Sequence, residues 1–436
     1  MKNILLNLLK GSALLMLLTF GACKIEPISD PNNPNIDDII NNASLSELQN
    51  LIDGSESGMR NSMNFYLEGV GVIGREIYRY SGSDPRYTSD LLGKGEATLD
   101  NNTFYTTNPF AARYRVIKNN NILIEALGNT SAPLTTEEKK GTIGYAKTIN
   151  AYQMLLVLNQ QYNNGIRENV ADADALGPFL DYTNSLRAIT DLLDSGNTDL
   201  AGASFPFRSS LVTDAASIVR LNRALYARVA VYRQDWDTAL TALDASFFDL
   251  NGDLNAGVFH VYSNAGGDLT NPMYYPDDAS GETIVVQPDF VTDGEAGDTR
   301  VATKTRLRST GEEQVDGLSS AYDLRTYTSQ TASIPVIRNE ELILIYAEAK
   351  AQNDVSADAI VAINIIRAAA GLGIYTGSTD KQALLDEILH QRRYSLFGEG
   401  HRWVDMRRYN KLDELPIDRP GDDVWEQFPR PADEGF

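Results

Sequence analysis

The sequence predicts a mainly α-helical chain in which helix pairs carry long irregular loops and a little β-structure. Three observations support this. Apolar residues recur at helical spacing in most segments beyond Ser44, as in Leu45, Leu48, Leu51 and Ile52, or Leu384, Leu385, Ile388 and Leu389. Helix-start signatures accompany them: Ser44 with Glu47, Thr135 with Glu138, and Thr379 with Gln382. Two long stretches, 81–110 and about 247–334, are rich in Gly, Asn, Asp and Tyr and lose the helical period.

The chain begins MKNILLNLLKGSALLMLLTFGAC. Lys2 and Lys10 make a positive start, and Gly11 to Ala22 is uncharged and mostly apolar, shorter than the roughly 20 residues a membrane span needs. The small pair Gly21-Ala22 precedes Cys23, the single cysteine among 436 residues. Residues 1–22 therefore have the layout of a secretory signal peptide. With cysteine at the cleavage point the segment resembles a bacterial lipoprotein signal, which implies Cys23 as the site of lipid attachment. KIEPISDPNNPNIDD follows, too rich in Pro, Asn and Asp to build a core. Residues 23–43 read as a tether, and 44–436 as one helical domain with an irregular insertion at about 247–334.

Helical segments are expected from Ser44 towards Tyr80 with interruptions, over 111–127, from Thr135 to about Tyr162, and over 188–193. Ile218 to Tyr232, a short polar turn ending in Trp236, and Asp237 to Ala245 make a helix–turn–helix that resembles a tetratricopeptide unit. Trp236 reads as a helix-packing residue. TIVVQPDFV within the insertion reads as a short strand. Asn339 is expected to cap a helix with Glu340 and Glu341 in its first turn. Ser356 starts another, which Gly371 and Gly373 stop.

Charge and motif content exclude several functions. The formal net charge is −21, against nucleic acid as a partner. The three histidines, His260, His390 and His401, have no metal-ligand spacing, and no acidic cluster has the spacing of a calcium loop, so neither metal nor cofactor is expected. There is no G-x-S-x-G and no P-loop. A pair of glycosidase carboxylates cannot be singled out among 59 acidic residues. No enzyme is indicated. Binding through aromatic side chains is better supported, because sugar rings present apolar C–H faces while amides and guanidiniums serve the hydroxyls. Candidate ligand residues are Arg86, Tyr87, Asn101, Phe104 and Tyr105 in the first irregular stretch and Tyr262, Tyr274 and Tyr275 in the second. The other reading of these tyrosines is that they pin their loops to the body.

The stretch from Asp380 to Tyr409 mixes charge and aromatics densely: Glu399, Gly400, His401, Arg402, Trp403, Asp405 and Arg407. Unpaired buried charges cost several kcal/mol, so this is either a paired structural knot or a site. Arginines that pair with Glu399 and Asp405 and stack on Trp403 favour the knot, fastening the last long helix and the tail.

ELILIYAEAKAQ (341–352), AINIIRAAAGLG (362–373), ILHQRRYSLFGEGHRWVDMRRY (388–409) and FPRP (428–431), together with the N-terminal cysteine, resemble the SusD/RagB family. The sequence departs from the family at Gln391 and Ser395, where glutamates are common, and at Gly398, where an aromatic is common. The resemblance implies a SusD-like helical scaffold of tetratricopeptide-like pairs. It implies an outer-membrane lipoprotein of Bacteroidota facing the cell exterior, with a TonB-dependent SusC-like transporter as partner and an oligosaccharide as ligand. Peptides are the alternative ligand, and a surface glycosidase or an assembly scaffold are the further alternatives. The family's ligand residues do not fall in the matching motif.

Overall fold

A computed structural model describes residues 36–172 and 175–434. The signal segment and Cys23 lie outside the described residues. The fold is mainly helical. Helix α1 (Ile36–Asn42) leads into α2 (Leu45–Arg60) and α3 (Met63–Ile73), then β1 (Ile77–Ser81). Next come α4 (Phe104–Asn129), α5 (Thr136–Gln161), α6 (Tyr182–Leu200), α7 (Ala215–Tyr232) and α8 (Trp236–Asp244). The irregular stretch holds β2 (Gly257–His260), β3 (Glu282–Val286), α9 (Asp289–Thr292), α10 (Thr299–Lys304), β4 (Thr305–Leu307), β5 (Glu313–Val315), β6 (Leu318–Ser320) and β7 (Tyr322–Leu324). β8 (Ile334–Arg338) then precedes α11 (Asn339–Gln352), α12 (Ser356–Ala369), α13 (Lys381–Ser395) and α14 (Arg402–Arg408).

Successive helices pack on one another from α4 through α8; α8 packs on α11, and α11 on α12 and α13. This makes a continuous tetratricopeptide-like scaffold. The apolar pattern explains its two cores. In α11, Leu342, Ile345 and Ala349 face the main core, whereas Ile343, Leu344 and Ala347 face a smaller core shared with Ile363, Ile366, Leu384 and Ile388. A helix apolar on both sides belongs between two layers. α5 is likewise buried on all sides from Thr148 onwards.

The capping boxes at Ser44 and Thr135 form as expected. Two other starts differ. Asp380, not Thr379, caps α13, its carboxylate accepting from Ala383 N at 3.0 Å. Asn339 is already helical, and its side chain instead donates to the carbonyl of Asp249 at 2.7 Å, tying α11 to the loop that follows α8. The 81–110 stretch is shorter as a loop than its polarity suggests, because α4 begins at Phe104 and runs through Pro109. Helix 188–193 extends over Tyr182–Leu200. Within the stretch read as a tether, Ile36–Asn42 is a helix packed on α4, with Ile39 against the core.

A four-stranded sheet in the order β1-β3-β7-β4 ties the first third of the chain to the insertion. Arg79 lies opposite Ile284 and Ser81 opposite Glu282 in antiparallel register. A separate hairpin, β5–β6, turns at Asp316-Gly317, both with positive φ, as a tight hairpin turn requires.

The Asp380–Tyr409 stretch is a paired knot. Asp405 accepts from Arg392 Nε at 2.6 Å and from Arg408 Nε at 3.0 Å. Arg408 also pairs with Glu348, and Arg338 with Glu399 at 2.8 Å. Arg407 stacks 4.5 Å from the Trp403 ring centroid and donates to the carbonyls of Glu426 and Asn159, both at 2.8 Å. Trp403 is fully buried, donates to the Trp425 carbonyl at 2.8 Å and meets Phe428 edge-on. Glu341 holds Arg228 through two 2.6 Å bonds, and His401 lies 3.8 Å from Glu341. Burial lowers His401 to about 4, so it is neutral at pH 7. Gly400 has φ +85, and a Cβ there would press on Leu67 and Val70 of α3 at 3.2 Å. At the departures from the family pattern, Ser395 accepts from Arg300 at 2.9 Å, and Gln391 is buried and bonds Glu387 at 2.8 Å.

Candidate ligand-binding site

Five of the eight candidate ligand residues converge beside one end of the sheet, with partners the sequence reading did not single out. α3 contributes Asn64, Phe65 and Glu68, and β1 contributes Arg79. The short turn Pro85–Tyr87 contributes Arg86 and Tyr87, the start of α4 Phe104 and Tyr105, and the loop before β3 Tyr275. Phe104 is the hub. Its ring centroid lies 5.2 Å from Phe65, 4.9 Å from Tyr87 and 5.3 Å from Tyr105, and the Arg86 guanidinium sits 5.0 Å above it. The Arg79 guanidinium is held 5.0 Å from both the Tyr87 and the Tyr275 rings.

Arg79 is fixed from two sides. Its Nε donates to Glu68 at 3.2 Å and its Nη2 to Glu282 at 2.7 Å. The Glu282 carboxylate also accepts from Ser81 Oγ at 2.7 Å and Ser83 Oγ at 3.1 Å. Partial burial raises Glu282, but Arg79 and the two hydroxyls outweigh it and hold the carboxyl down at about 2. Glu68 has the opposite fate: burial pushes it up to about 7 against the pull of Arg79. Arg86 pairs with Asp84 at 2.6 Å and donates to Thr103 Oγ1 at 2.6 Å. Phe65, Phe104 and Tyr275 are half-buried in the cluster, accompanied by Arg86, Asn64, Ser83 and the half-exposed Glu282. Aromatic edges beside fixed donors and acceptors suit a ring with both C–H faces and hydroxyls.

The other candidates are placed differently. Tyr105 is buried; its hydroxyl donates to Asp90 at 2.7 Å and accepts from Asp100 N at 2.8 Å, so it supports Phe104 from below. Asn101 is half-buried, and its backbone carbonyl accepts from Ala432 N at 2.9 Å, pinning the tail. Tyr262 is buried under Arg60, 5.8 Å from its ring, in a different part of the core beside Tyr152 and Arg113. Tyr274 is half-buried next to Tyr275, in a loop held by Asn271, whose side chain donates to the Ala332 carbonyl at 2.7 Å. Glu68 and Arg79 had a signal in the sequence. Each is a lone charge in an apolar or aromatic run, MNFYLEGVGVI and IYRYS, and two such charges of opposite sign eleven positions apart invite a pair.

Known proteins share this fold. Residues 300–424 match the SusD family model. A 91-residue stretch is 36% identical to the SusD-like protein P38 of Formosa agariphila, covering 19% of this chain and 18% of that protein's length. Surface glycan-binding protein A from Bacteroides thetaiotaomicron superposes with a TM-score of 0.69 at 14% identity, over 90% of this chain and 96% of that one. The chain has the SusD-like fold, with the SusD family's sequence match over residues 300–424. B. fragilis NanU shares the SusD-like fold with a TM-score of 0.65 at 16% identity, over 93% of this chain and 96% of its own. The same B. thetaiotaomicron glycan-binding protein in complex with laminarihexaose gives a TM-score of 0.68 at 13% identity, over 89% of this chain and 94% of that one. The family match spans the Arg–Glu knot, and the candidate binding cluster lies outside it. Among the described residues no helix is long and apolar enough to cross a membrane.

Proposed function

We propose that this chain belongs to the SusD/RagB family, captures an oligosaccharide at the cell surface and passes it to a TonB-dependent SusC-like transporter in the outer membrane, without chemistry of its own. The observation that carries the reading is the Phe65–Phe104–Tyr275 cluster braced by Arg79 and Arg86: three half-buried aromatic rings with hydrogen-bonding groups fixed around them. A relative of the same fold solved with laminarihexaose supports a glycan as the ligand class. Glu68 is the one carboxyl there with a raised pKa, but it is buried and committed to Arg79, which makes it a brace rather than a general acid. In the same reading residues 1–22 are a signal peptide, Cys23 carries the lipid, and the remaining tether ends before α1, leaving one helical domain with the 247–334 excursion built into it.

Isothermal titration against a panel of oligosaccharides, laminarihexaose among them, and a panel of peptides tests the ligand class. A glycan is expected to bind, with binding weakened by Phe104→Ala or Tyr275→Ala. Binding of peptides alone would overturn the oligosaccharide reading. Intact glycan recovered after long incubation is expected; cleavage would make the protein a glycosidase. Cys23→Ala is expected to move the protein from the membrane to the soluble fraction, and a transporter barrel is expected to copurify with the wild type.

A further inference from the structure

The cations of the Phe104 cluster are already committed, and this bears on which glycans the cluster can take. Neither of its two guanidiniums has a free fork. Arg79 gives Nε to Glu68, Nη2 to Glu282 and Nη1 to the Tyr80 carbonyl. Arg86 holds Asp84 through two bonds, from Nε at 2.9 Å and from Nη2 at 2.6 Å, and gives Nη1 to Thr103. An acidic sugar is recognised by such a fork, because a guanidinium matches two oxygens of an acidic group. Here each fork already faces a carboxylate of the protein.

The groups left open are mostly acceptors. The Glu282 side chain is 48% exposed. Its Oε1 accepts from Ser81 Oγ, Ser83 N and Ser83 Oγ, whereas its Oε2 accepts only from Arg79. Ser83 is exposed and turns its hydroxyl proton to Glu282, so it keeps lone pairs to offer. The side-chain oxygen of the half-buried Asn64 has no partner among the described residues, and its amide reaches only Glu68, at 3.5 Å. With its pKa at about 2 despite partial burial, Glu282 is an anion throughout the neutral range. An ionised carboxylate only accepts hydrogen bonds. A sugar hydroxyl has a proton to give it; an ionised uronate or sulfate has none and is repelled. The formal net charge of −21 adds a field of the same sign.

We propose that this cluster selects uncharged glycans and turns away uronic-acid and sulfated ones, with Glu282 as the residue that sets the choice. The inference rests on the oligosaccharide reading above and narrows it to neutral sugars. Hydroxyls of a neutral ring donate to Glu282, Ser83 and Asn64 beside the rings of Phe104 and Tyr275.

Isothermal titration of the full chain against two panels tests the proposal. One panel holds neutral gluco-, manno-, xylo- and galacto-oligosaccharides, laminarihexaose among them; the other holds oligogalacturonates and sulfated laminarihexaose. The tightest ligand is expected in the neutral panel, with every acidic glycan at least ~10-fold weaker, the scale of one like-charge contact near a protein surface. Added salt should narrow that gap, because it screens repulsion. Glu282→Gln keeps the shape and removes the charge. It should weaken the best neutral ligand about 3- to 10-fold and strengthen the acidic ones by a similar factor. Loss of the brace on Arg79 alone would weaken both panels alike, so shifts in opposite directions separate the two roles. An acidic glycan that binds as tightly as the best neutral one overturns the proposal and leaves the oligosaccharide reading standing. Parallel shifts in folded Glu282→Gln overturn the role of Glu282. Should that variant fail to fold, the wild-type gap and its salt dependence decide. If no glycan of either panel binds, the oligosaccharide reading falls and this inference falls with it.

Discussion

Replacing Glu76 by glutamine isolates one buried carboxyl from everything else that titrates in this protein. Glu76 lies just before β1 and is 3% exposed. One carboxyl oxygen accepts from Gly398 N at 3.3 Å, and the other has no partner. Burial raises its pKa to about 8, with the Gly398 N–H and the charges of Arg402 and Lys304 pulling the other way. The unfolded reference is 4.5. A folded pKa above the unfolded one means that the native state holds the proton more tightly. The associated stability is fully present below pH 4.5 and is lost as pH rises through about 8. From about pH 6 to about pH 8 the unfolded carboxyl is ionised and the native one is not, so each pH unit removes about 1.4 kcal/mol, and about 2–3 kcal/mol is gone by pH 9. Glu76→Gln keeps the shape of the protonated acid and removes the titration. Urea denaturation at pH 6 and at pH 9 should therefore show the wild type losing that much more stability than the variant, a gap opening with pH in favour of Glu76→Gln. Stabilities that run parallel over this range would refute the reasoning, because the carboxyl would then be ionised alike in both states.

Other expectations follow from the same contacts. Trp403→Ala should destabilise the fold by about 3–5 kcal/mol, since it empties a fully buried indole site, and it should leave ligand affinity unchanged in the protein that remains folded, as titration calorimetry would report. Phe104→Ala and Tyr275→Ala should each weaken glycan binding by about 3- to 10-fold, the scale of one aromatic contact, with Phe104→Ala the larger because it also removes the seat of Arg86. Glu341→Gln leaves Arg228 buried beside a neutral group and should cost about 3–5 kcal/mol in chemical denaturation, with much of it recovered when Arg228→Met is added.

The helical frame was legible because its signals are local. Ser44 and Thr135 carry their capping partners three residues on, and the stripes of α2, α11 and α13 name their own buried faces. Caps fail as signals when a neighbour competes: Asp380 outbids Thr379 by a stronger acceptor one position later, and Asn339 has its side chain drawn off to Asp249. The knot was readable as pairing because so many charges beside a buried tryptophan had to be neutralised, yet the partners Arg338, Glu348 and Glu341 lie about 60 positions away. The binding surface was half visible. Arg86, Tyr87, Phe104 and Tyr275 stand out in polar loops, but Glu68, Arg79 and Glu282 join them only through the antiparallel pairing of β1 with β3, across some 200 residues. Tyr262, equally prominent in sequence, went to the core instead, because β2 pairs with β8 and draws the loop that follows β2 inward.

Phe428 has a bearing on how this protein is made. Its ring is fully buried against Trp403 and Tyr105, and a Cβ on Gly69 of α3 would lie 3.1 Å from it. The Phe428 amide donates to the Gln160 carbonyl at 2.8 Å, so residues from α3, α4 and α5 all await a side chain synthesised some 270 to 360 residues later. A ribosome releases roughly 5–20 residues per second, so the first helices spend on the order of twenty seconds or more without the piece that closes them. Such a chain remains pliable until its last segment arrives. That is the state in which a polypeptide can be threaded through a narrow channel, with final locking deferred until the whole of it has emerged on the far side.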